Sequence, residues 1–425
     1  MSNETTNPSG GQALESHSNA STTDDAQPLC DSAQTSLWQI GKHIPQLDGV
    51  RGLAILIVTL YRFSKEIPVD STIGRALHSF FALGDRGVDL FFVLSGFLIT
   101  GILLDARGTD GFFRNFFARR SLRIFPLYFL SLLLFLAATQ WTGPFQGIYQ
   151  QASENQFYLW TYLANVKMSI EGAWCFGYLD HFWSLAVEEH FYFIWPIIIF
   201  CCTPRTALKF ALILALTSAV SRTLFAAISD NGVAPNVLSI FRFDALLIGS
   251  ALAIQIRQSN GLKSLRLPAL GLFPICALIG VTLTVLDKRV LAVGHTVWPV
   301  LWACVCVWLL TGSSRSLLSK FFNSPALRNL GKYSYAMYVF QSPLIPLAAS
   351  IISAETLATW TGNLVLANLI YMATMFALTY GAALISWHLI EKHFLALKRW
   401  FPTSPAATKS KAESYYLGSR SVTST

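Results

Sequence analysis

The chain has 425 residues, of which 53% are hydrophobic and only 13% are charged, and its mean hydropathy is +0.47. Soluble proteins carry about 25% charged residues, so this composition excludes an ordinary soluble enzyme and favours a polytopic membrane protein. The net charge of +8 does not indicate a nucleic-acid partner, because the basic residues form short clusters between apolar runs, as they do in membrane loops.

The chain divides into three predicted regions. Residues 1–43 are rich in Ser, Thr, Asn and Gln and are predicted to form a disordered N-terminal arm. A transmembrane helix needs about 20 mostly apolar residues, and such segments define a transmembrane domain over 44–395. Residues 396–425 are predicted to form a disordered tail. The predicted fold is therefore an all-α polytopic membrane protein with about ten transmembrane helices. These lie near 44–63, 83–104, 124–140, 182–202, 208–228, 237–256, 267–286, 291–311, 334–353 and 364–390.

Lys and Arg residues are concentrated in alternate predicted loops. The loop 105–123 alone holds five arginines, whereas the loops on the opposite side mix acidic and basic residues. By the positive-inside rule, both termini are predicted to be cytoplasmic.

The seven cysteines lie mostly inside apolar runs, where a thiol behaves as a small hydrophobe. Their spacing matches neither a disulfide framework nor a metal site. We therefore predict no metal.

The first predicted helix, LDGVRGLAILIVTLYRF, carries charges at both ends. Asp48 and Arg51 are three residues apart and share a face, which favours a local ion pair. Arg62 returns to nearly the same face about 16 Å farther along the axis. Charges within a bilayer are costly and often functional. The alternative is that Arg51 only sets topology and that Arg62 extends its charge to the membrane surface.

Two arginines lie in FFARRSLRIFPLYF, near the start of the third predicted helix. Arg120 and Arg123 share a helix face. Guanidinium groups bind phosphate oxygens in bidentate fashion, so this pair is a candidate site for a phosphorylated co-substrate. The alternative is positive-inside charge or contact with lipid headgroups.

Two adjacent carboxylates interrupt the fourth predicted helix, HFWSLAVEEHFYFIWP. At least one of Glu188 and Glu189 must face the bundle interior, water or an arginine. Farther along the chain, Arg242 and Asp244 open another apolar run and are predicted either to form an ion pair or to line a substrate site. Further candidates are His181, Trp183, Ser184, Tyr335 and Gln341.

Together these stretches resemble the acyltransferase-3 family of integral membrane proteins, which includes O-acetyltransferases of bacterial surface sugars. The resemblance runs from about 44 to 394. It implies a membrane enzyme that moves an acyl group, commonly acetyl, from cytoplasmic acyl-CoA to a hydroxyl of a carbohydrate or another acceptor. Acyl-CoA is then a co-substrate rather than a permanent cofactor. The stretches are LDGVRGLAIL, GVDLFFVLSGFLIT, FFARRSLRIFPLYF, HFWSLAVEEHFYFIWP, FRFDALLIG, LGKYSYAMYVFQSPL and SWHLIEK.

The resemblance also implies roles for single residues. Arg51 and the RxxR pair, Arg120 and Arg123, would hold CoA phosphates. The WSLxVEE block is intact from Trp183 and supplies two carboxylates that orient the reacting groups or act as base. The catalytic candidates are Glu188, Glu189, Arg62 and His181.

The sequence departs from the family at two positions. The family keeps one histidine where this chain has Arg62 and another where it has Gln341. Arginine stays protonated and cannot serve as a general base, although it can bind an anion or stabilise an oxyanion. Two interpretations follow: an active enzyme with its base elsewhere, or a non-catalytic member that acts as a transporter or binding scaffold.

Overall fold

The structure is a computed structural model that describes residues 44–66, 72–140, 147–258, 261–286, 291–349 and 351–402. The predicted N-terminal arm and most of the predicted C-terminal tail lie outside these residues. The described residues are almost entirely helical and include no β-strand, so the predicted all-α polytopic fold is confirmed.

The helices follow one another with short connections. The first half contains α1 Pro45–Phe63, α2 Thr72–Ala82, α3 Gly87–Asp105, α4 Phe112–Ala137, α5 Gln150–Glu154, α6 Gln156–Trp160, α7 Ala164–Glu171, α8 Trp183–Cys201 and α9 Pro204–Ile228. The second half contains α10 Ala234–Val237, α11 Ser239–Gln255, α12 Gly261–Leu286, α13 Leu291–Thr311, α14 Leu317–Phe322, α15 Pro325–Phe340, α16 Leu344–Ala349, α17 Ala354–Thr361, α18 Leu364–Ser386 and α19 Lys392–Ala396.

Eight helical segments of the described chain are long and apolar enough to cross a membrane. Helix α1 has 19 residues and is apolar over most of its length, but it carries Asp48, Arg51 and Arg62. Helix α13 contributes a shorter apolar stretch, His295–Thr311. The eight segments are Gly74–Asp105, Phe112–Ala137, Gly177–Cys201, Pro204–Ile228, Ala234–Gln255, Gly261–Leu283, Leu344–Thr361 and Leu364–Trp400.

The structure differs from two predicted boundaries. The stretch 105–123 was predicted as a loop, but helix α4 already begins at Phe112, after Gly111 in the left-handed conformation. Four of its five arginines therefore lie on α4, and Arg107 lies in the turn before it. The predicted span 334–353 is interrupted after α15, where Gln341, Ser342 and Pro343 form a turn, because proline disfavours helical geometry at the preceding residue.

Glycines allow two helix pairs to pack closely. A Cβ atom at Gly96 of α3 would lie 1.8 Å from the Leu246 carbonyl oxygen of α11. A Cβ atom at Gly52 of α1 would lie 1.9 Å from the Leu327 carbonyl oxygen of α15. Small residues are the usual means by which membrane helices approach each other. These contacts place α1 beside α15 and α3 beside α11.

The described residues 147–182, between α4 and α8, form a folded cap of short helices rather than an open loop. The Tyr128 hydroxyl donates to the Leu159 carbonyl at 2.8 Å, and the Tyr149 hydroxyl donates to the Pro343 carbonyl at 2.8 Å. Tyr162 stacks on Tyr128, with 4.3 Å between ring centroids. Burial raises the pKa of Tyr162 far above its ordinary value, so this phenol stays neutral. The cap thus closes one end of the bundle.

Candidate functional site

A cavity of about 90 Å³ lies between α1, α3, α4, α8 and α15. Its charged lining consists of Arg51, Arg120, Arg123 and Glu188. The structure therefore brings together residues that are up to 137 positions apart in the chain (188 − 51). The remaining lining residues are Val88, Phe91, Phe92, Ser95, Leu98, Ile124, Ser184, Leu185, Tyr192, Ser334, Tyr335 and Tyr338.

Three arginines make one part of the cavity strongly cationic. Arg120 and Arg123 are three residues apart on α4, and Arg51 of α1 faces both closely enough to be repelled by them. Arg120 also stacks over the Tyr192 ring at 5.5 Å. Within the described residues, no carboxylate lies within 4.0 Å of these guanidinium groups. Such a cluster is suited to a phosphate or another multiply charged anion.

The predicted local pair in α1 is not a direct ion pair. Asp48 acts on Arg51 electrostatically but lies beyond ion-pair distance of it. Helix α1 positions Arg51 in the cavity while Asp48, one turn earlier, stays outside the lining.

Glu188 is the carboxylate that reaches the cavity. It accepts hydrogen bonds from Ser95 and Tyr192, whose hydroxyls are themselves bonded to each other. Tyr192 follows Glu188 by four residues and therefore projects from the same face of α8. Neither Tyr192 nor Ser95 was among the site residues predicted from the sequence. The four-residue spacing was the available signal for Tyr192, whereas Ser95 comes from another helix.

Glu189 points away from the cavity. Its Oε1 atom is buried and has no hydrogen-bond partner among the described residues. It interacts electrostatically with Tyr128 and Tyr162 at the edge of the cap. Neighbouring residues of a helix face different directions, so the two carboxylates occupy separate environments.

Tyr338 and Ser184 also line the cavity and contact each other. The Tyr338 hydroxyl donates to the His181 backbone carbonyl at 2.9 Å and lies 2.5 Å from Ser184 Oγ. His181 itself is not in the lining. Its Nε2 atom lies 3.3 Å from the Val339 carbonyl oxygen, and because a carbonyl oxygen can only accept, Nε2 is the donor. Nδ1 has no partner in the described part of the chain.

The two positions that depart from the resembled family are neighbours in space. Arg62 Nε donates to Ser342 Oγ at 2.7 Å, and Thr59 donates to the Gln341 side chain at 3.0 Å. Arg62 also acts electrostatically on His181. These residues form a polar cluster behind Tyr338, outside the cavity lining.

Arg242 and Asp244 are ion-paired, but the predicted pairing of one with the other is wrong. Arg242 pairs with Asp89 of α3, whereas Asp244 pairs with Arg222 of α9 at 2.9 Å. Residues two apart on a helix face different directions, so these two meet different neighbours. Trp183 contributes here by stacking over the Arg242 guanidinium at 5.7 Å.

Comparison with known proteins places the chain in a family. A family model described as an acyltransferase domain, Acyl_transf_3, matches residues 44–388. The chain is 28% identical to YrhL of Bacillus subtilis over 379 residues, which are 83% of this chain and 55% of YrhL. It is 27% identical to the peptidoglycan O-acetyltransferase OatA of Listeria monocytogenes, covering 79% of this chain and 54% of OatA.

The chain spans about half the length of these curated relatives. It is also 25% identical to the O-acetyltransferase OatA of Staphylococcus aureus, over 72% of this chain and 51% of that protein. No solved structure matches it. The match of the family model over most of the chain, together with the bundle of apolar helices, shows that this multi-pass membrane protein belongs to the acyltransferase-3 family.

Proposed function

We propose that the chain transfers a short acyl group, specifically acetyl, from acyl-CoA to a hydroxyl of a carbohydrate or another acceptor. The observation that carries this proposal is the cavity that three arginines and one carboxylate line together. In the described part of the chain, none of these arginines forms an ion pair with a carboxylate. Relatives that are named as O-acetyltransferases support the reaction class.

The arginine cluster is the proposed binding site for the CoA phosphates. Arg51, Arg120 and Arg123 provide donor groups that match phosphate oxygens. Arg51 lies near the start of α1 and Arg120 near the start of α4. The positive-inside rule assigns these ends to the cytoplasm, the compartment that supplies acyl-CoA. Both chain termini are then cytoplasmic.

The size of the cavity favours a short acyl group. About 90 Å³ is small beside the roughly 300–1,000 Å³ of pockets for drug-sized ligands. The thioester end of acetyl-CoA would occupy this space, with its phosphates at the arginines. A long acyl chain would require the walls to move.

Glu188 is the proposed general base. The acceptor hydroxyl attacks the thioester carbonyl, and Glu188 accepts the hydroxyl proton. The C–S bond then breaks, and the same proton neutralises the leaving CoA thiolate. Ser95 and Tyr192 would orient the carboxylate, while an arginine stabilises the oxyanion. The other candidate bases, Glu189 and His181, lie outside the cavity lining.

The test is acetyl transfer by the purified full-length chain. The protein in detergent is incubated with radiolabelled acetyl-CoA and a carbohydrate acceptor, and released thiol and labelled product are both measured. Glu188→Gln should lower turnover by about 100-fold or more, the scale of general-base catalysis, with little change in CoA affinity. Glu355→Gln is the matched control, because Glu355 is exposed at the start of α17.

The alternative function is a non-catalytic scaffold or transporter. Arg62 and Gln341 favour it, since neither can exchange a proton as histidine does near neutral pH. In that case the wild-type chain binds acetyl-CoA, releases no thiol, and moves substrate across proteoliposomes without consuming it. Thiol release that Glu188→Gln abolishes would exclude this alternative.

A further inference from the structure

The chain folds back onto α4 after its last long helix. This returning segment, residues 397–402, is called the strap. Arg119 Nη1 donates to the Lys398 carbonyl at 3.0 Å and to the Phe401 carbonyl at 2.9 Å. Asn115 Nδ2 donates to the Pro402 carbonyl at 2.8 Å. The strap is therefore held to α4 through its backbone carbonyls.

The strap delivers a lysine to the arginine cluster. Lys398 is partly buried, and it is close enough to be repelled by four arginines, namely Arg123, Arg120, Arg119 and Arg51. Within the described residues, Lys398 forms no ion pair with a carboxylate. Like charges held this close repel each other. A bound anion would relieve the repulsion of all of them together.

We propose that Lys398 is a further phosphate-binding residue, which acts with Arg120 and Arg123 on a phosphate of the acyl-CoA. This inference rests on the proposed function, because it assigns a ligand to the same site. It also assigns a role to the strap, which is to hold Lys398 against the cavity entrance. A phospholipid headgroup presents the same chemistry, so the experiment must separate the two sources.

The test measures CoA affinity of the full-length chain in phosphatidylcholine nanodiscs by calorimetry. Lys398→Gln should weaken CoA binding about fivefold, the effect of removing one partly screened charge contact, and should raise the KM for acetyl-CoA by the same factor with little change in kcat. Lys398→Arg should bind CoA within twofold of wild type. Lys392→Gln is the matched control, because Lys392 is an exposed lysine of α19.

Each failure has a separate signature. If the wild type binds no CoA, the proposed function fails and the inference fails with it. If the wild type binds CoA and Lys398→Gln binds it equally well, only the role of Lys398 is overturned. If Lys398→Gln weakens CoA binding only in discs that contain phosphatidylglycerol, the phosphate at Lys398 belongs to a lipid and the assignment to CoA is wrong.

Discussion

The buried ion pair between Arg242 and Asp89 offers the sharpest stability prediction. Their side chains are 3% and 1% exposed, and the Arg242 guanidinium lies 5.6 Å from the Phe92 ring centroid and 5.7 Å from the Trp183 ring centroid. Arg242→Leu removes the cation and leaves the Asp89 carboxylate inside the bundle.

The expected loss of stability depends on which charges remain near Asp89 in the Arg242→Leu variant. Removing one partner of a buried pair costs about 3–5 kcal/mol, and an unpaired charge at the centre of a membrane helix costs about 3 kcal/mol. Arg86 still lies 3.9 Å from Asp89, so part of the charge stays compensated. We expect Arg242→Leu to lower the free energy of unfolding by about 3 kcal/mol, which is about a 150-fold change in the unfolding equilibrium.

A double-mutant cycle identifies the cause. Unfolding in mixed detergent micelles is measured for Arg242→Leu, for Asp89→Asn and for the double variant. The double variant should recover at least about 1.5 kcal/mol relative to the sum of the single changes, because neither charge of the Arg242–Asp89 pair remains. Lys167→Gln breaks the exposed pair with Glu171 and should leave stability unchanged. Additive or negligible effects of the two single changes would refute the buried-pair account.

Three other outcomes are expected. Gly96→Ala should lower the melting temperature by several degrees, because its Cβ atom would meet the Leu246 carbonyl at 1.8 Å; Gly271→Ala, which meets no atom within 4 Å, should not. Tyr192→Phe should lower turnover about tenfold, through loss of the hydrogen bond that orients the base, while circular dichroism and melting stay close to wild type. Arg62→His should leave CoA affinity unchanged, since Arg62 lies outside the cavity lining; a large change in Kd would place it in the binding site.

Local patterns in the sequence were enough to predict the helical membrane domain. Apolar runs of about 20 residues need no tertiary information, since the bilayer requires each span to satisfy its own backbone hydrogen bonds. Two predicted boundaries were wrong, because the hydropathy of the segment alone does not decide where the helix begins or ends. Helix α4 begins at Phe112, outside its apolar run, and the turn formed by Gln341, Ser342 and Pro343 divides a mostly apolar run.

The candidate site was predicted only in part. The spacing of Arg120 and Arg123 indicated a shared helix face, and the block around Glu188 indicated an interior carboxylate, because both are properties of one helix. Ser95 was missed, since its contact with Glu188 depends on how α3 packs against α8. The strap was missed for the same reason. The residues around Lys398 are a mixture of basic and apolar types, and their pattern does not indicate that they fold back onto α4.

By itself, the sequence determined the chain's fold class, its family and the kinds of charged residue that the membrane domain must accommodate. Only the tertiary structure decided which charges meet. It placed Glu188 rather than Glu189 in the cavity, paired Arg242 with Asp89 rather than Asp244, and set Arg62 beside Ser342. The physical reason is that charge pairing depends on distances of a few ångströms between helices far apart in the chain, and helix packing alone sets those distances.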